Sequence, residues 1–349
     1  MLRQKPALST LLPPIILGGG AYNTQMNTDP SSLPIPELIS KAFSLGINAI
    51  DTSPYYGPSE ELIGDALSQP SIASAYPRDS YLLITKAGRI SEREFDYSPA
   101  WIRASVQQSC KRLGTDYLDV VFCHDVEFVA ADEAIRAVEC LFGLVDQGVV
   151  RYVGISGYPH ALLADLAVRV REEFGGRRLD AVQSYCHFNL QNSTLAQSTR
   201  RLAVDAGVDV VLNASPLGMK LLSGRLPGTF HPAPKPLLEA CLEADAFCRE
   251  KGETLPRVAM RWVFANWNGP TVSGASTVEE LDENVAAYRD AVGGGGEGGL
   301  VTWHAADHSR PRLEKWEPLW EGVVDILGEW KDYSWDSPPS GWVFKTGPS

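Results

Sequence analysis

Missing from this chain is any run of apolar residues long enough to cross a bilayer. Missing too is a basic stripe: 31 Lys and Arg stand against 43 Asp and Glu, a formal net charge of −12. A polyanion is held by clustered cations that displace its counterions, so this balance argues against nucleic acid. It equally disfavours an anionic membrane surface, and says nothing against a small neutral substrate. Six cysteines, at 110, 123, 140, 186, 241 and 248, form no Cys-x-x-Cys and no His/Cys cluster at zinc spacing. They read as reduced, mostly buried thiols, and no metal site is expected. The opening MLRQKPALSTLLPPIILGGG has an apolar patch, but two adjacent prolines break it, and it does not read as a signal peptide. A cytoplasmic protein is the expectation.

What is present suits a single large α/β unit. With 44% hydrophobic and 21% charged residues, the 349-residue chain can bury a full core. Short runs rich in Val, Ile and Leu recur at Pro14–Leu17, Ala49–Asp51, Tyr81–Lys86, Leu118–Cys123, Arg151–Ile155, Ala181–Ser184, Val208–Leu212 and Thr271–Gly274. Most are almost continuously apolar, as parallel strands buried on both faces should be. Helical periodicity fills the gaps at Pro34–Leu45, Glu60–Leu67, Pro99–Leu113, Ala131–Gln147, His160–Glu173, Ser193–Ala206, Lys235–Lys251, Leu255–Asn266 and Val278–Ala291. Gly46, Gly114, Gly148 and Gly207 sit just past four of these helices, where a left-handed residue is wanted. Eight β/α units favour a closed (β/α)8 TIM barrel over residues 1–292, although counting alone leaves a doubly wound sheet open. The glycine-rich stretch 293–299 reads as a linker. Residues 300–349 form a Trp- and Pro-rich C-terminal extension, with helical spacing over Leu313–Trp330, that packs back on the barrel.

In such a barrel, functional groups gather at the carboxyl ends of the strands. Those positions hold Asp51, Lys86, His124, Ser156 and Gln183, with Tyr56 five residues beyond Asp51 in the loop DTSPYYG. A phenol titrates near ~10 and is a poor acid or base at neutral pH. A neighbouring ammonium pulls that value down, a carboxylate keeps the ammonium charged, and a neutral imidazole orients a substrate oxygen. Taken singly, each residue has a plainer role. Asp51 could cap the turn, Lys86 could sit in a structural ion pair, His124 could be a satisfied core histidine, and Tyr55 competes with Tyr56. Joint placement on successive strand ends favours a catalytic group.

From about Leu17 to Ala291 the sequence resembles the aldo-keto reductase family. GINAIDTSPYYGPSEELIGDAL resembles the family's first signature, LLITKAG and LGTDYLDVVFCHD carry its lysine and histidine, and GVVRYVGISG resembles the segment supplying a carboxamide-binding serine. The resemblance implies a catalytic group of Asp51, Tyr56, Lys86 and His124. It also implies NAD(H) or NADP(H) held without a Rossmann fingerprint, and no Gly-x-Gly-x-x-Gly follows a strand here. By the same carry-over, Ser156 and Gln183 bind the nicotinamide amide. The loop Ser215, Pro216, Leu217 and Gly218 cradles the pyrophosphate, and the segment from Gly274 through Glu280 and Glu283 to Asn284 holds the adenosine end.

Three departures from the family pattern stand out. Gly157 replaces an Asn common beside the serine, and Ala214 replaces an aromatic that stacks on the nicotinamide. Gly274 and Glu280 stand where NADPH-dependent members place Lys and Arg. A carboxylate repels a 2′-phosphate but accepts a hydrogen bond from a free ribose hydroxyl, so NAD is expected in preference to NADP. Against this, Glu280 reads equally as a solvated helix residue. Within the family the chain is most similar to D-arabinose and L-galactose dehydrogenases, which oxidise the anomeric hydroxyl of an aldose (D-arabinose, L-galactose or L-fucose type) to the lactone. The alternatives are an NADPH-dependent aldehyde, pyridoxal or aryl-alcohol reductase, a cofactor-sensing channel subunit, and a Schiff-base lyase acting through Lys86.

Overall fold

Both faces of most strands carry apolar side chains, and the two rows go to different cores. On the third strand, Leu82 and Ile84 join the barrel interior, while Leu83 and Ala87 face the helices. Burying one such leucine or isoleucine contributes about 1.5–3 kcal/mol, which makes a one-residue slip of register prohibitive. In the computed structural model, which describes residues 5–293, 300, 302–305 and 313–343, eight parallel strands close in sequence order. They are β1 (Ile15–Gly18), β2 (Ala49–Asp51), β3 (Leu82–Ala87), β4 (Leu118–His124), β5 (Val150–Gly157), β6 (Ala181–Tyr185), β7 (Val210–Ala214) and β8 (Thr271–Gly274). β8 pairs with β1 through Ile15–Thr271 to Gly18–Gly274. That closure makes the fold a (β/α)8 barrel and removes the doubly wound alternative.

The outer ring is α1 (Ile35–Ser44), α2 (Ser59–Ser68), α3 (Pro70–Ala75), α4 (Pro99–Arg112), α5 (Ala131–Asp146), α6 (His160–Glu173), α7 (Ala196–Arg200), α8 (Lys235–Glu250), α9 (Leu255–Asn266) and α10 (Val278–Val292). The four glycines expected after helices all have positive φ. Several strands run past their apolar core, to His124, Gly157, Tyr185 and Ala214. Backbone pairing continues to the rim, with His124 opposite Ser156 and Ser156 opposite Gln183. The helix expected over Ser193–Ala206 starts late, because Ser193 N donates to Asp332 and Thr194 N to Asn192, and it loosens into a π turn over Arg201–Asp205.

Leu8 and Leu12, on and beside a short turn (Leu8–Thr10), plug the amino-terminal floor of the barrel. Ser9 binds Asp209 through its amide and hydroxyl, and the Tyr152 phenol donates to Pro6 O at 2.8 Å. After Val292, all but the first residue of the glycine stretch lies outside the described residues. The helix expected over Leu313–Trp330 is α11 (Glu317–Leu327), packed on α8 and α9, where the Trp320 indole donates to Val258 O at 3.1 Å. Beyond it, Trp335 stacks on Tyr158 and Trp342 meets Phe95 and Phe128, so the last described stretch crosses the carboxyl-end mouth. Among the described residues no helix is long and apolar enough to cross a membrane.

Candidate active site

Period-two alternation turns Asp51, Lys86, His124, Ser156 and Gln183 into the barrel at its carboxyl-end rim, and across neighbouring strands Asp51 pairs with Ile84, Lys86 with Phe122 and Gln183 with Leu212. Lys86 Nζ donates to Asp51 Oδ1 at 2.6 Å and to Thr52 O at 3.0 Å. The same ammonium lies 5.0 Å from the centroid of the Tyr56 ring. Tyr56 ends a short turn (Pro54–Tyr56) capped by Ser53, whose hydroxyl accepts from Tyr55 N at 3.1 Å. Capping therefore belongs to Ser53 and not to Asp51. The His124 ring stands edge-on to Tyr56 with centroids 5.8 Å apart, and its Nδ1 is 3.0 Å from Ser53 Oγ.

Burial sets the charges. It pushes the His124 imidazole down to about 3, so the ring is neutral at any working pH. Burial raises Asp51 against the pull of Lys86. It works to lower Lys86, and the charges of Asp51 and Tyr56 outweigh it, leaving the ammonium raised. Tyr56 departs from the sequence expectation. Lys86 does pull its phenol down, but burial is the larger effect and the net shift is upward. A phenol held protonated, beside a fixed ammonium and a neutral imidazole, can give a proton to a developing alkoxide; the reverse step needs the phenolate.

Four neighbours carried no clear signal in the sequence. Ser53 reads as a turn serine. Arg89, three residues past Lys86, lies over Tyr55 and donates to Asp125. Asp125 itself follows His124 with φ 57°, a left-handed position that Asp tolerates better than most residues. Glu127 is buried and accepts from Tyr158 N and Ser337 Oγ, while its Oε2 has no partner among the described residues. A Cβ on Gly157 would come within 2.3 Å of that oxygen. The Glu127 carboxylate thus lies in the space a side chain at 157 would enter, and would have to shift to admit one.

A sequence model of the aldo/keto reductase family matches residues 14–291. The chain belongs to the aldo/keto reductase family. It is similar to D-arabinose 1-dehydrogenase of Saccharomyces cerevisiae, at 45% identity over 271 residues covering 77% of this chain and 80% of that one. It is also similar to L-galactose dehydrogenase of Arabidopsis thaliana, at 38% over 256 residues, 72% and 77% of the two chains. A glycerol dehydrogenase from Gluconobacter oxydans shares the fold, with TM-score 0.59 and 23% identity over 95% of this chain and 97% of that one. As an aldo/keto reductase, the protein is an oxidoreductase that works with a nicotinamide cofactor.

The residues named for that cofactor suit it unevenly. Gln183 Oε1 is buried and without a partner among the described residues, as an acceptor awaiting an amide N–H would be. Ser156 Oγ rests on Cys123 O at 3.3 Å. Ser215 and Gly218 both have positive φ, and the loop is braced by His231 Nε2 on Gly218 O at 2.9 Å. Pro216 and Leu217 lie between them. Lys220 Nζ reaches across to Met26 O at 2.6 Å, tying this loop to the one after β1. At β8, a Cβ on Gly274 would stand 3.3 Å from both Ala21 Cβ and Gly18 O, so the turn after β1 packs closely on this glycine. Glu280 accepts from Ser276 N at 2.7 Å while its own N donates to Thr277 Oγ1, so one of its oxygens serves the start of α10. Asn284 is buried on Ser273 Oγ, and Glu283 is exposed.

Proposed function

We propose that this enzyme oxidises the anomeric hydroxyl of a cyclic aldose, of D-arabinose, L-galactose or L-fucose type, to the lactone, with NAD as acceptor. The observation that carries the reading is the Tyr56–Lys86–Asp51 arrangement beside a neutral His124 on a chain 45% identical to a D-arabinose 1-dehydrogenase. A bound nicotinamide supplies the hydride acceptor, with Ser156 and Gln183 toward its amide and the Ser215–Gly218 loop toward its pyrophosphate. His124 hydrogen-bonds the C1 oxygen of the sugar and orients it. Tyr56, ionised with the help of Lys86, takes the hydroxyl proton, and Asp51 holds Lys86 in place and charged. Between Gly274 and Asn284 stand four carboxylates and no Lys or Arg, which favours a free ribose hydroxyl over a 2′-phosphate.

The test is a screen of NADH and NADPH formation across aldoses, aromatic alcohols and pyridoxine, with lactone detected by NMR. Turnover of an aldose with NAD, accompanied by lactone, is the expected result. Turnover confined to aromatic alcohols or pyridoxine, or a preference for NADP, would overturn the corresponding half of the reading.

A further inference from the structure

We propose that Ser53 sets the tautomer of His124, placing its single proton on Nε2 so that this nitrogen faces the substrate oxygen as a donor. The inference rests on the proposed role of His124 toward the sugar oxygen. Ser53 is a positioning residue in this scheme, acting through the imidazole.

The argument is one of hydrogen-bond capacity. A serine hydroxyl has one hydrogen to give and two lone pairs to receive. Ser53 is fully buried, and one of its lone pairs already takes the Tyr55 N–H at 3.1 Å. Its only other hydrogen-bond partner among the described residues is His124 Nδ1, at 3.0 Å. If Nδ1 carried the proton and donated to Ser53, the hydroxyl hydrogen would be left buried without an acceptor, which is the costlier arrangement. With the hydroxyl donating to Nδ1, both Ser53 Oγ and His124 Nδ1 are satisfied, and the Nε2–H is left for the substrate.

The other side of the ring gives the same answer independently. His124 Nε2 lies 3.6 Å from Asp125 Oδ2. At that distance, beyond hydrogen-bond reach, the carboxylate's charge favours a proton on Nε2 over a bare lone pair without engaging the N–H, which stays free for the substrate oxygen. The ring is neutral because burial disfavours its charge, so there is only one proton to place. Tyr97, whose phenol donates to the His124 carbonyl, and the edge-on rings of Tyr55 and Tyr56 keep the imidazole from turning away. Without Ser53, Nδ1 loses its donor and the two tautomers become closer in energy.

Two-bond ¹H–¹⁵N correlation of ¹⁵N-histidine-labelled protein reports which nitrogen is protonated, with His124 assigned by comparison with His124→Gln. The native enzyme is expected to show the Nε2–H form. Ser53→Ala is expected to show a mixture with Nδ1–H, together with a fall in kcat of at least about tenfold, a smaller change in KM and unchanged NAD affinity by fluorescence. Ser53→Thr, which keeps the hydroxyl, should recover both tautomer and kcat. Should the alanine variant fail to fold, Ser53→Cys offers a weaker donor and an intermediate tautomer ratio. An Nδ1–H signal in the native enzyme, or an unaltered tautomer in Ser53→Ala, would overturn the proposal. The latter would leave Ser53 as only the cap of the turn bearing Tyr56. Absence of aldose turnover, or full turnover by His124→Gln, counts against the functional reading instead, because the tautomer is read without substrate.

Discussion

Arg89 lies over the ring of Tyr55, its guanidinium carbon 3.8 Å from the ring centroid, and donates through Nη1 to Asp125. This cation holds Tyr55 as a wall of the cavity and leaves Tyr56 alone beside Lys86. Burial opposes ionisation of Asp125, but the charge of the Arg89 guanidinium and its hydrogen bond keep the carboxyl below the usual range. Tyr55→Phe should therefore retain turnover within a few-fold, while Tyr56→Phe loses roughly a hundredfold or more, in the range of a lost acid–base group. NAD titrations by fluorescence should give similar affinities for both variants. Equal losses at the two tyrosines would contradict the assignment.

The pH dependence of oxidation follows from the direction of the Tyr56 shift. Taking a proton from a substrate hydroxyl needs the phenolate, and burial holds the phenol protonated above its ordinary value of 10. The kcat/KM for oxidation should climb with pH through the alkaline range without levelling below pH 10, while the reductive direction stays level until the phenol itself ionises above its ordinary 10. Lys86 is raised and stays charged throughout. A plateau beginning near neutrality in steady-state pH profiles would show that the phenol is not the titrating group.

Lys86 and Asp51 are both almost wholly buried, and each neutralises the other across 2.6 Å. Lys86→Met leaves a lone carboxylate in the cavity and should cost about 3–5 kcal/mol in urea denaturation. Adding Asp51→Asn removes that charge, so the double variant should regain most of the stability yet remain inactive. Recovery of turnover along with stability would reduce the pair to a structural one.

Glu127 makes alkaline stability measurable. Burial first, and the charge of Asp125 second, push its carboxyl from an ordinary 4.5 up to about 8. Below 4.5 folded and unfolded chains both hold the proton. Between 4.5 and about 8 only the folded chain does, so the Glu127 contribution to stability falls as pH rises and levels off above 8. Glu127→Gln should match the parent melting temperature near pH 4.5 and exceed it at pH 8. Parallel melting curves across this range would refute the shift.

Cofactor choice is open to a charge reversal. Glu280 stands in the first turn of α10 with Glu279 beside it and no cation between Gly274 and Asn284. On the proposed placement of Glu280 toward the 2′ position, Glu280→Arg should narrow the ratio of kcat/KM for NAD over NADP by about tenfold or more, since a carboxylate is exchanged for a cation. The same change removes the bond to Ser276 N, so a modest drop in melting temperature should accompany it. An unmoved ratio would place the selectivity elsewhere.

Lys86 and His124 could be read from the sequence because each interrupts an apolar run at the end of a strand. The eight runs themselves are the barrel. The support around them was hidden for a different reason: its partners are distant in the chain. Ser53 meets His124 across 71 residues, and Ser337 meets Glu127 across 210. No local pattern marks a serine that will face an imidazole. Glu280 was open to two readings because charge says what a residue repels, and says little about which backbone group it caps. The strand ends were drawn short because hydrophobicity stops at the rim while backbone pairing does not.

The plug formed by Leu8 and Leu12 lies at the floor of the barrel, whereas Trp342 stands edge-on against the stacked rings of Phe95 and Phe128 at its mouth. These two parts of the described chain therefore lie at opposite poles. A surface tether or an electrode linker attached near Leu8 would sit on the side away from Tyr56, Lys86 and His124. One attached near Trp342 would crowd the doorway. For anyone wishing to wire this barrel to an electrode, the floor is the end to hold.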